Sequence, residues 1–156
     1  MGNRERELFM YSDGKLFWKK PTSPRVKVGQ EAGSTTTNGY KIVRYDNKCR
    51  MLHRVIWDYH YEVGCEGYLV DHIDLNPLNN RIENLRLCDP SQNAANSFGH
   101  SDSTVSSKGV TVCGNKFRAQ VAHNGKRYHL GVFDTEEEAS VAYKDKAKQL
   151  YGEYHR

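Results

Sequence analysis

Residues 69–96 read LVDHIDLNPLNNRIENLRLCDPSQNAAN. A short apolar run ends in Asp71-His72, and NLRLC at 84–88 is a second strand-like run. Asp89 is a good N-cap and Pro90 suits the first helical position, so DPSQNAANS opens a short helix. The loop between the strands, IDLNPLNNRIEN, is rich in residues whose side chains hydrogen-bond to nearby backbone and hold it in irregular conformations. Strand, long loop, strand, helix is the resulting order.

When such a unit folds back on itself, the end of YLVDH lies beside the start of the helix, and Asp71, His72 and Asn93 are expected to converge. Asp71 and Asn93 then form an oxygen-donor pair suited to a hard divalent ion such as Mg²⁺, which keeps waters and takes phosphate oxygens as further ligands. An imidazole beside it is suited to act as general base on water. The expected chemistry is one-metal phosphodiester hydrolysis. A regular strand would point Asp71 and His72 to opposite faces, so the strand must end or twist sharply at this pair. Asn84 is expected to tie the loop down behind His72.

Upstream, FMYSDGKLFWKK places an Asp-Gly turn between strand-like runs and predicts a β-hairpin. PTSPRVKVGQEAGSTTTNG predicts a loop. A second hairpin follows, GYKIVRY and KCRML around Asp46-Asn47. In LHRVIWDYHY, Leu52, Val55, Ile56 and Tyr59 recur at helical spacing and predict a short amphipathic helix packed on that hairpin.

Downstream, residues 98–107 are small and polar and predict a linker. Three strands follow, GVTVC, KFRAQVAH and KRYHLGVF, with Gly-Asn and Asn-Gly turns. DTEEEASVAYKDKAKQLYG then predicts a helix. Asp134 or Thr135 is its N-cap, acids fill its first turn, lysines follow, and Ala139, Ala142, Tyr143, Ala147 and Leu150 line one face. Gly152 stands at its C-cap. Three antiparallel strands covered by one helix are expected.

The 156-residue chain is long enough for one domain or two small ones. A mean hydropathy of −0.81 calls for a modest core. No apolar run approaches the roughly 20 residues of a membrane span, and the start MGNRERELF has no secretory apolar segment, so a soluble, cytoplasmic protein without membrane partners is expected. The four cysteines, Cys49, Cys65, Cys88 and Cys113, form no C-x-x-C pair, so neither structural zinc nor a disulfide framework is expected. Net charge is +4, but it is uneven: residues 14–50 carry nine Lys/Arg against two acids, and residues 105–133 carry five with none. Basic segments interleaved with aromatics suit nucleic acid.

V-D-H-I-D, N-N-R-I-E-N-L-R and Q-N-A-A-N together resemble the HNH endonucleases, especially the phage and intron-encoded homing enzymes, over about residues 40–97. The resemblance implies a ββα-metal site with His72 as general base and Asp71 and Asn93 as metal ligands. It makes Asn84 the middle asparagine that orients the base and pins the loop. Mg²⁺ is the implied ion, with Mn²⁺ as a substitute. Asn93 stands where many members have histidine, as in the homing branch. Some members carry a histidine at the place of His53, which otherwise reads as a packed residue at a helix start. Arg54, Arg81 and Arg86 read equally as phosphate contacts or as surface pairs.

K-G-V, H-L-G-V-F-D-T and E-E-A-x-x-A-Y resemble the AP2 DNA-binding domain, which lays a three-stranded sheet in the major groove with the helix behind. Phe117, Ala119 and Val121 are then expected to face the helix, leaving Lys116, Arg118 and Gln120 on the open face. Arg and Gln can read guanine and adenine edges. Lys108, Lys126 and Arg127 are expected at phosphates. The chain lacks several arginines and tryptophans of plant AP2 domains, so no plant-type target follows.

The sequence thus predicts an α+β protein: an HNH nuclease domain over 1–97 with its ββα-metal core at about 68–97, a linker at 98–107, and an AP2-like domain over 108–156. The expected function is a metal-dependent, site-preferring homing endonuclease acting on double-stranded DNA as a monomer, leaving 5′-phosphate and 3′-hydroxyl ends and nicking one strand. The rivals are a sequence-specific DNA-binding regulator with an inert HNH fold and a nuclease for RNA or junctions.

Overall fold

A computed structural model of the chain describes residues 3–61, 64–97 and 105–154. Internal contacts divide it into two compact units, 1–88 and 89–156. Helix α1 (Arg4–Leu8) leads into hairpin β1 (Phe9–Ser12) and β2 (Lys15–Trp18). A two-residue strand β3 (Ser34–Thr35) then pairs with β4 (Lys41–Tyr45), which pairs with β5 (Lys48–Met51). Helix α2 (Leu52–His60) follows, and the unit closes with the antiparallel pair β6 (Leu69–His72) and β7 (Leu85–Cys88).

Both early hairpins have the two-residue turns the sequence predicts. Asp13 and Gly14 lie at φ 48° and 77°, and Asp46 and Asn47 at 47° and 59°. Turns with both central residues in the left-handed region match the right-handed twist of the flanking strands. The amphipathic helix also forms: Leu52, Val55 and Ile56 are fully buried against Phe9, Leu16, Trp18, Val43 and Tyr45. Each such apolar side chain contributes roughly 1.5–3 kcal/mol on burial. Val70 and Leu85 join the same core from β6 and β7, which ties the Asp71-His72 strand to it.

Two elements go beyond the sequence-based expectation. Helix α1 is capped by Asn3, whose side chain accepts from the backbone N–H groups of Glu5 and Arg6. The predicted loop at 21–39 also contributes β3 and a bridge between Phe17 and Glu31.

The second unit begins with α3 (Pro90–Asn96), whose N-cap Asp89 and Gln92 form a reciprocal capping box. Strands β8 (Val110–Cys113), β9 (Lys116–His123) and β10 (Lys126–Phe133) form an antiparallel sheet with β9 central, followed by α4 (Glu136–Tyr151). Thr135 and Glu138 box the start of α4, and Gly152 caps its end at φ 56°. Ala139, Tyr143, Ala147 and Tyr151 bury the helix against Ala119 and Val121.

The packing division after Cys88 precedes the expected boundary at 97, because α3 buries Ala95 with Val121, Tyr143 and Tyr151 of the second unit. Of the expected linker, residues 98–104 lie outside the described residues. Val105 is buried with Val110 and Ala139, and Glu136 accepts from the Ser106 hydroxyl and the Ser107 N–H, so 105–107 are part of the packed unit. All four cysteines are free thiols. No described helix is long and apolar enough to cross a membrane.

Candidate active site

Strand β6 ends at His72, and the chain turns at once: the Leu75 N–H donates to the His72 carbonyl, with Leu75 at φ 64°. Asp71 and His72 are both buried, at 7% and 6% exposure. The sharp ending required by two adjacent functional side chains is therefore present.

The loop that follows is held by asparagine and aspartate side chains. Asn84 accepts from the Asp74 N–H at 3.1 Å and donates through Nδ2 to Asp74 Oδ1 at 2.9 Å and the Asn79 carbonyl at 2.8 Å. Asn79 donates to Asp74 Oδ2 at 2.7 Å. Asp74 and Asn76 also accept from the backbone N–H groups two residues on. Burial raises the Asp74 pKa, but the bonds from Asn79, Asn76 and Asn84 outweigh it and hold the carboxyl below its ordinary value.

Asn84 thus pins the loop, but it is not the side chain on the base. That place belongs to Asn80, 2% exposed, whose Oδ1 stands 2.9 Å from His72 Nε2. Hairpin β1–β2 fixes the Asn80 segment from behind. The Tyr11 hydroxyl accepts from the Ile82 N–H, Asp13 pairs with Arg81 at 2.8 Å, and Gly14 lies so close that a Cβ would stand 2.9 Å from Arg81 N.

On another side His53 packs its ring edge-to-face against His72, centroids 4.9 Å apart, and Tyr40 lies 5.9 Å and 6.2 Å from the two rings. Burial first, then the neighbouring His72 and Arg54, push His53 down to about 4. It is a neutral, packed imidazole at neutral pH.

Asp71 faces Arg86 across the β6–β7 ladder, and Arg86 Nε and Nη2 both reach Asp71 Oδ2 at 3.1 Å. Arg86 is accordingly an internal counter-ion, whereas Arg81 and Asp13 form an exposed surface pair. Arg54 is half-buried and lies against the Cys65 thiol, which burial pushes up. Asp71 still suits a divalent cation in kind, because a carboxylate offers about four lone-pair sites and oxygen donors are what a hard cation takes. Asn93, the other expected ligand, is exposed on α3 in the second unit, where its N–H closes the first helical turn on Asp89.

In the second unit β9 alternates as the sequence predicts: Ala119 and Val121 are buried and Phe117 half-buried, while Lys116 and Arg118 are exposed and Gln120 is half-buried. Residues directly opposite in an antiparallel pair share a face. Register therefore adds Thr111, Arg127 and His129 to the face of Arg118 and Gln120. Of these, Thr111 and His129 escape a strand-by-strand reading, because only pairing reveals them. Lys116 pairs with Asp134 at 2.8 Å, Arg118 Nη2 lies 3.1 Å from Cys113 Sγ, and Lys126 and Arg127 are exposed at the β9–β10 turn.

Lys108 departs from its expected phosphate role. Its Nζ donates to the carbonyls of Ala94, Ala95 and Ser97, each at 2.6 Å, and so closes the C-terminus of α3, where cations are favoured.

The family described as HNH endonuclease matches residues 50–95, which hold α2, β6, the asparagine loop, β7 and most of α3. An uncharacterized HNH endonuclease of Acanthamoeba polyphaga mimivirus is 40% identical over 123 residues, covering 75% of this chain, and the chain spans 61% of that relative's length. A protein of Escherichia phage T7, named only as protein 3.8, is 30% identical over 111 residues, or 70% of this chain and 91% of the relative. No solved structure matches. Together with the Asp71-His72 strand end and the pinned loop behind it, these similarities place the chain in a family: it belongs to the HNH endonucleases.

Proposed function

We propose that the protein is a metal-dependent, site-preferring DNA endonuclease of the homing type, in which an HNH nuclease unit is joined to an AP2-like DNA-binding module. The observation that carries the nuclease part is His72, buried at the end of β6 next to Asp71 and held at 2.9 Å by Asn80. A positioned imidazole of this kind is what proton abstraction from an attacking water needs, and such assistance is worth about 10²–10⁴-fold.

In the proposed mechanism His72 takes the proton of a water in line with the scissile phosphorus. The 3′ oxygen leaves, giving 5′-phosphate and 3′-hydroxyl ends. Asp71 and Asn93 supply the carboxylate and amide oxygens that would hold Mg²⁺, with Mn²⁺ as substitute. A bound divalent ion supplies electrostatic relief of the charge growing on the phosphoryl oxygens. Arg86 pairs with Asp71 and holds its carboxyl group in place, and Asn84 keeps the loop behind His72 closed.

For the second unit, the row of exposed Arg118, His129 and Arg127 with half-buried Gln120, on the face of a three-stranded sheet opposite Ala119 and Val121, supports duplex DNA as partner. Arg and Gln are suited to base edges, and Lys126 and Arg127 to phosphates. One such site per chain supports nicking of a single strand by a monomer.

Incubating supercoiled plasmid and phage-type genomic DNA with wild type and His72→Ala, in Mg²⁺ or EDTA, and mapping ends on each strand tests this. Metal-dependent breaks at few positions, lost in His72→Ala while DNA binding persists, are expected. Cleavage by His72→Ala at the wild-type rate would sink the assignment of the base, and tight binding without cutting on any substrate would sink the nuclease.

A further inference from the structure

We propose that Lys108 is a positioning residue of the nuclease: it fastens α3 to the sheet and helix of the second unit and so sets the element that carries Asn93. This deepens the nuclease reading and rests on it only in giving Asn93 a role at the metal.

The match to the HNH endonucleases runs to residue 95, yet the chain packs as a separate unit from residue 89 on. The end of the nuclease motif therefore folds as part of the second unit. With seven residues α3 cannot hold itself, since isolated helices below about 12–15 residues are marginal in water and depend on packing. The capping box of Asp89 and Gln92 secures its first turn. At the other end the last carbonyls of a helix have no helical partners. Lys108 Nζ donates to the carbonyls of Ala94, Ala95 and Ser97, each at 2.6 Å. Three ammonium N–H donors thus meet three carbonyls, at the end of the helix that favours a cation.

The base of Lys108 is itself fixed. The adjoining Gly109, at φ 71°, lies against the Tyr143 ring of α4 with no room for a Cβ, and its carbonyl accepts from the Gln120 N–H of β9 at 2.9 Å. Ala95 adds an apolar attachment, buried in one cluster with Val121, Tyr143 and Tyr151. A further tie reaches the first turn of α3, where the Ser91 hydroxyl accepts from the Asn124 N–H of the β9–β10 turn at 3.4 Å. Asn93 stays exposed between these anchors. The place of Asn93 is therefore set by the second unit, and Lys108 makes the most hydrogen bonds in that attachment.

Amide hydrogen exchange on the whole protein, in EDTA and without DNA, measures the attachment. In wild type at low urea the amides of α3 should open together with those of β9 and α4, as one cooperative unit, and not with those of β6 and β7. In Lys108→Met α3 should open ahead of the sheet, its protection falling roughly tenfold below that of Ala119 and Val121, which is what one lost hydrogen bond to a charged group is worth. Lys108→Arg, which keeps donors there, should recover part of it. At a temperature where all three are folded, Lys108→Met should need more Mg²⁺ for half-maximal cleavage and lose roughly tenfold in kcat, with little change in KM or in DNA affinity measured in EDTA. Should Lys108→Met fail to fold, exchange in the wild type and Lys108→Arg still decides. An α3 that opens in the wild type with β6 and β7, or ahead of both units, overturns the proposal. So does an α3 that stays level with β9 in folded Lys108→Met, or one that loses protection while cleavage keeps its wild-type rate. A wild type that cuts no DNA, with α3 uncoupled in Lys108→Met, supports the clamp and overturns the nuclease. An active wild type whose α3 opens ahead of the sheet does the opposite.

Discussion

Asp71 and Arg86 are opposite residues of the β6–β7 ladder and form a buried ion pair, with side-chain exposures of 7% and 13%. Removing one partner of a buried pair leaves an uncompensated charge and costs about 3–5 kcal/mol. Arg86→Met should therefore lower the urea midpoint sharply in EDTA, and Asp71→Asn in the same chain should restore part of the loss. Mg²⁺ should raise the midpoint of Arg86→Met more than that of wild type, since a cation on Asp71 replaces the missing charge and binds only the folded state. Equal midpoints for wild type and Arg86→Met would show that the pair contributes nothing to stability.

Gly14 links the first hairpin to the site. An alanine there meets both a positive φ of 77° and backbone atoms of Asn80 and Arg81 within about 3 Å. Gly29 has nearly the same φ, 78°, and nothing within 4 Å, so Gly29→Ala isolates the strain alone. Gly14→Ala should cost roughly 2 kcal/mol more than Gly29→Ala and should depress cleavage at temperatures where both are folded. If the two variants match in stability and rate, the hairpin does not hold Asn80 in place.

His53 makes stability depend on pH. Its folded pKa is about 4 against an ordinary 6.5, so between these values the unfolded chain binds the proton and the folded chain does not. Stability from this group is fully present above pH 6.5 and is lost as pH falls toward 4, by up to about 3 kcal/mol. The groups facing it are His72, Arg54 and the Tyr40 ring. His53→Leu should flatten the urea midpoint between pH 6.5 and pH 4.5, and an unflattened profile would assign the loss of stability to other groups.

Much of this was legible in the residues. Asp13-Gly14, Asp46-Asn47 and Asn124-Gly125 announce turns because few other pairs tolerate two left-handed conformations in succession. Asp89-Pro90 and Thr135 with Glu138 announce helix starts because orphan N–H groups need acceptors. Helix α1 was not legible by period, since its five residues span little more than one turn, although Asn3 as a cap was the available signal. Asn80 and Asn84 stand in one asparagine-rich run, and no local rule says which turns inward. That is decided by Tyr11, Asp13 and Gly14, nearly 70 residues upstream. The Asp71–Arg86 pair needs the strand register, which a long irregular loop hides.

Lys108 separates structural charge from the charge proposed to contact DNA in the second unit. Its Nζ serves three carbonyls at 2.6 Å and the side chain is half-buried, with burial pulling its pKa down to about 8, so the nitrogen is engaged by the protein's own carbonyls. Lys126 and Arg127 are exposed on the β9–β10 turn. In DNA-binding titrations over a range of salt, Lys126→Ala and Arg127→Ala should each reduce the slope of log K against log salt by about 1 without changing thermal stability. Lys108→Met should leave that slope unchanged but destabilise the unit by about 1–3 kcal/mol, because three carbonyls lose their donor. A Lys108→Met protein that is as stable as wild type and has a shallower salt slope would return Lys108 to the phosphate backbone and break the distinction.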